Sequence, residues 1–126
     1  MSTFHAAIWM DHAEAHVLRL DCGQTHIRRV CANNSHAAHE HADAAGEHAY
    51  FDEIAQAVAD AHEILVTGPA DAKHGFVQHV QAHHAALGAR IVGVETLDHP
   101  SDAQLAAHAR KFFTRADRMN GTPGAA

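Results

Sequence analysis

Apolar positions change their period twice along this chain. Phe4 to Met10 is a nearly continuous apolar run containing Ile8 and Trp9, closed by Asp11-His12. Glu14 to Leu20 carries Val17, Leu18 and Leu20, and the turn Asp21-Cys22-Gly23-Gln24 follows. Thr25 to Cys31 then brings the β-branched Thr25, Ile27 and Val30. Short apolar runs on either side of a Gly-containing turn predict a hairpin, and the Asp11–Ala13 link predicts another before it. Three sequential antiparallel strands are expected.

Asn33 to His48 is polar and rich in Ala and His, without apolar periodicity, and reads as a long loop. From Ala49 the period becomes helical. Phe51, Ile54, Val58 and Ala61 fall at spacings of three and four. Glu63 to Thr67 is a β-like run stopped by Gly68-Pro69. Ala72 to Leu87 is helical again, with Phe76, Val77, Val80 and Leu87 on one side and Gly88 at its end. Arg90 to Val94 reads as another buried strand. Ser101 and Gln104 then have the spacing of a capping box, opening a helix whose inner face is Leu105, Ala109, Phe112, Phe113 and Ala116.

The order β-β-β-α-β-α-β-α predicts three antiparallel strands joined to two parallel ones, with helices on both faces. That is a ribonuclease H-like α/β fold with a mixed five-stranded sheet. Residues 1–119 form a single domain on this reading, and 120–126, which lack an apolar anchor, a fraying tail.

Composition narrows the function. At 126 residues with 47% hydrophobic and 19% charged side chains, the chain can bury a core without metal or disulfide help. No apolar stretch is long enough for a membrane span, and the N-terminus has no basic leader, so a cytoplasmic location is expected. Two cysteines are too few for a disulfide scaffold, and Cys22 and Cys31 read as ordinary free thiols. The formal charge is −6, which disfavours nucleic-acid binding by bulk charge and leaves room for a local basic face. Fifteen histidines would reverse that sign on protonation.

Three segments also resemble known proteins. They are Trp9-Met10-Asp11-His12-Ala13-Glu14-Ala15, Glu63-Ile64-Leu65-Val66-Thr67-Gly68-Pro69 with Lys73, and Val92-Gly93-Val94-Glu95-Thr96 before Ser101-Asp102-Ala103-Gln104. Together they are similar to small bacterial "translational machinery" proteins, which resemble the middle domain of archaeal and eukaryotic class-one release factors and of Pelota. The resemblance covers about residues 4 to 113 and implies the same ribonuclease H-like fold and a ribosomal partner. Release factors carry a Gly-Gly-Gln loop between the third strand and the first helix. Residues 35–48 here hold one glycine and no glutamine, so peptidyl-tRNA hydrolysis is not implied.

Candidate chemistry lies at four places. The turn Thr67-Gly68-Pro69-Ala70-Asp71-Ala72-Lys73 leads a strand into a helix N-terminus, where free N–H groups favour an anion and Lys73 would add charge. Asp71 would help to cap that helix. Arg19, Arg28 and Arg29 would form a small basic cluster on the strand ladder, and with Gly68, Pro69 and Lys73 they are the expected anion or RNA contacts. His36, His39, His41 and His48 offer imidazoles for zinc, nickel or copper, although a compositional drift toward Ala and His explains them without a site. His79 and His83, four apart on one helix, admit a metal between them but read first as satisfied boundary residues. Finally, Asp11, Glu95 and Asp98 are the carboxylates that a two-metal nuclease of this fold would need to converge, and Asp11 reads more simply as a turn residue.

The leading expectation is a non-catalytic protein associated with the ribosome or structured RNA, without a required cofactor. The rivals are a metal-binding protein using loop 36–48 and a divalent-metal nuclease. A homo-oligomer is compatible with the sequence.

Overall fold

Antiparallel pairing of the N-terminal segments occurs as the short apolar runs and the turns between them predict. In the computed structural model of the protein, which describes residues 4–21, 24–32 and 44–119, the first three strands form a meander. They are β1 (His5–Met10), β2 (Glu14–Asp21) and β3 (Gln24–Cys31), with Ile8 opposite Val17 and Leu18 opposite Ile27. Cys22, the loop histidines 36, 39 and 41, and the tail 120–126 lie outside the described residues.

Helix α1 (Ala44–Ala57) leads to β4 (Glu63–Gly68), and α2 (Ala72–His83) with the single turn α3 (Ala85–Gly88) leads to β5 (Ile91–Thr96). Helix α4 (Asp102–Met119) comes last. The sheet order is β3-β2-β1-β4-β5, with β4 parallel to both β1 and β5. Each face of the sheet has its own core. On one, Ile8, Met10, Val17, Ile64 and Val66 meet Phe51, Ile54, Val58, Phe76 and Val80 of α1, α2 and the turn after α1. On the other, Ala7, Trp9, Leu18, Leu20 and Leu65 meet Leu105, Ala109 and Phe113 of α4. This explains why β1 and β4 are buried at nearly every position: both of their faces are covered.

The structure departs from the sequence reading at four points. Helix α1 begins at Ala44, inside the stretch read as loop. Alanine is the strongest helix former, so Ala44 and Ala45 start the helix with no apolar stripe to announce it. The long second helix is broken at His84, whose φ of −137° and ψ of 60° are not helical. Strand β5 is an edge and is half-exposed, with Val92 and Val94 both 37% accessible. Asp71 makes no side-chain cap; its backbone carbonyl instead accepts from the N–H groups of His74 and Gly75 at 3.0 and 3.1 Å. The capping box of α4 is present: Ser101 N–H donates to Gln104 Oε1 (2.9 Å) and Gln104 N–H to Ser101 Oγ (3.1 Å).

Candidate functional site

The turn after β4 is built by close backbone approach. Thr67 is buried and its hydroxyl donates to the Ile8 carbonyl at 2.8 Å, pinning β4 to β1. The Gly68 carbonyl accepts from Leu97 N–H at 3.1 Å, tying the turn to the end of β5. Lys73 is not displayed on this turn as its place in the sequence led one to expect. It is 3% exposed, and its Nζ donates to the Ala70 carbonyl at 2.6 Å. An ammonium folded beneath its own turn holds the loop together and is not presented to a surface anion.

The three ladder arginines do not form one cluster. Successive residues of a strand point to opposite faces. Arg19 lies on the α1/α2 side, its guanidinium 4.1 Å over the Phe4 ring and 3.7 Å from Asp60. Arg28 shares that side, being adjacent to Arg29 in β3 and opposite Val17. Arg29 lies on the α4 side, opposite His16, with its Nε 3.7 Å from Glu14.

A denser basic surface lies along α4. Arg110, Lys111, Thr114 and Arg115 line a shallow groove. Arg110 Nη2 donates to the Gln24 carbonyl (3.1 Å) and to Thr25 Oγ1 (2.8 Å), fixing α4 over the start of β3. Lys111 and Arg115 are exposed beside it. Ile27, 53% exposed, is on the same face of β3 as Thr25 and Arg29. The apolar side of this helix is what its sequence pattern announced. The missed signal was the charge density: four of the chain's nine basic residues fall between positions 110 and 118.

The carboxylates that a nuclease would need are separately engaged. Asp11 Oδ1 accepts from the N–H groups of Ala13 and Glu14 at 2.8 and 2.9 Å, as a turn residue does. Glu95 pairs with His108 across 2.5 Å, and the Asp98 carboxylate is almost fully exposed. Among the described residues, one set of three metal-capable side chains comes within 4.8 Å, and it contains none of these: it is Asp52, His79 and His84. His48 lies on α1 with its ring 4.7 Å from that of His79.

A mixed β3-β2-β1-β4-β5 sheet with two helices on one face and one on the other is a ribonuclease H-like α/β fold. Solved structures share it. The Pelota protein of Thermoplasma acidophilum matches 94% of this chain over 34% of its own length, with a TM-score of 0.62 and 21% identity. The archaeal translation termination factor aRF1 matches 95% over 42% of its length (TM-score 0.60, 13% identity). Dom34 of S. cerevisiae, a translation termination-like factor involved in RNA quality control pathways, matches 82% over 31% of its length (TM-score 0.55, 11% identity). The chain thus spans well under half the length of these proteins, and at such identities the likeness is one of fold. No protein-family model and no curated protein matches the sequence. No helix among the described residues is long and apolar enough to cross a membrane.

Proposed function

We propose that this protein is a translation-related, non-catalytic factor that docks on the ribosome or on structured RNA in the cytoplasm. The observation that carries the reading is the match of nearly the whole chain to folds of translation termination and Pelota proteins. The α4 groove supplies phosphate-binding groups of the right sign, Arg110, Lys111 and Arg115, and Arg29 extends the same side of the sheet. Arg28 and the backbone of the Gly68-Pro69 turn are secondary contacts. Release chemistry is left out because residues 35–48 contain no glutamine and a single glycine.

Sedimentation tests this directly. The purified chain should comigrate with ribosomal particles through a sucrose gradient at low salt. A chain that remains at the top of the gradient at low salt overturns the reading. In a release assay on programmed ribosomes, labelled peptide should stay at the no-factor background, and release above it overturns the non-catalytic part.

A further inference from the structure

We infer that Asp52, His79 and His84 form a binding site for a divalent transition-metal ion of the zinc type, with His48 and His83 beside it as further imidazole donors. The helical period places these groups together. His48 and Asp52 are one turn apart on α1, and His79 and His83 are one turn apart on α2. The two helices pack side by side on the sheet. His84 joins them because the chain leaves the helical path at that residue. Its Nε2 lies 2.9 Å from Asp52 Oδ1, and His79 Nε2 lies 2.6 Å from the same oxygen. The rings of His48 and His83 are each centred 4.7 Å from that of His79.

One ligand atom from each of Asp52, His79 and His84 lies within 4.8 Å of the other two. The His79 side chain is 6% exposed, and its Nδ1 is buried without a partner among the described residues. Both imidazole nitrogens meet the same Asp52 oxygen, so the three groups already converge on one point. Two imidazoles and one carboxylate suit zinc and its neighbours, whereas magnesium and calcium prefer oxygen-only sets. Zinc bonds of about 2.0–2.1 Å put tetrahedral ligand atoms about 3.3 Å apart, so the two imidazole nitrogens, now 2.6 and 2.9 Å from the carboxylate oxygen, must draw back from it by less than an ångström. The fourth position falls to His48, His83 or water. The site is independent of the ribosomal reading, whose principal groups, Arg29 and the α4 groove, lie on the opposite face of the sheet.

Zinc titration of the chelator-treated full chain tests the site. The background is the His36→Ala/His39→Ala/His41→Ala variant, which removes the loop imidazoles as competitors. One Zn²⁺ per chain should bind in the micromolar range or tighter, and bound ion should raise Tm. Asp52→Asn and His84→Ala, both at partly exposed positions, should each weaken binding by about 10-fold or more while the apo chain stays folded by circular dichroism. Substitution by Co²⁺ should give the intense visible bands of a tetrahedral site. No saturable binding at micromolar Zn²⁺ in the loop-substituted background, or an affinity unchanged in both variants, overturns the proposal.

Discussion

Gly68 passes so close to Met10 that a Cβ on it would stand 2.2 Å from the Met10 carbonyl oxygen. The approach occurs where β4 ends beside β1, just after Thr67 has bonded to Ile8. The obstacle is backbone in the middle of the sheet, which cannot swing away as a side chain could.

Gly68→Ala should therefore separate β1 from β4 at this end. Overpacking against fixed atoms costs about 3 kcal/mol, which for a chain of this size lowers Tm by roughly 10 °C. Thermal unfolding followed by circular dichroism measures it, and a shift of under a degree or two would contradict the close contact.

Tyr50 gives a clean titration because it is the chain's one tyrosine. It is 3% exposed, and its hydroxyl donates to the Asp11 carbonyl at 2.9 Å. Burial first, then the charges of Asp11 and Glu14, push its pKa far above the ordinary value near 10. A pKa raised by folding contributes stability that is complete below the unfolded value and is lost as pH rises beyond it. Phenolate absorbance should thus stay absent above pH 10 and appear together with alkaline unfolding. A phenolate signal near pH 10 from a still-folded chain would count against this environment.

The capping box can be removed at the surface without disturbing a core. Ser101→Ala deletes the acceptor for Gln104 N–H and should cost about 1 kcal/mol. Urea unfolding should show a lower midpoint with an unchanged slope, because the exposed area on unfolding stays the same.

Ribosome or RNA binding through phosphates should weaken linearly in log–log terms with added salt. Removing Lys111 or Arg115 should lower that slope by about one each across different RNA sequences. Lys73→Met should leave the slope unchanged, since its ammonium is already bonded to Ala70 beneath the turn. Filter binding at several salt concentrations separates these outcomes, and a salt slope that Lys73→Met lowers as Lys111→Ala does would return Lys73 to the interface.

What the sequence determines by itself is the set of elements and their order. The turn-bounded apolar runs in residues 4–31, the apolar spacing of Phe51, Ile54 and Val58, and the Ser101–Gln104 pair are local signals with local causes, and each appears where it is expected. The resemblance in residues 63–73 points to the right fold for the same reason, because strand, turn and helix are adjacent in the chain. Tertiary structure decides what a single strand or helix cannot express. Which of the neighbours Arg28 and Arg29 shares a face with Arg19 is decided only once the strand register is fixed. Lys73 is withdrawn beneath a turn that its own sequence would have let it decorate. The His84 break places an imidazole on Asp52, 32 residues away, because α1 and α2 cover the same face of the sheet. Sites assembled across elements depend on packing, and packing is set by the whole sheet at once.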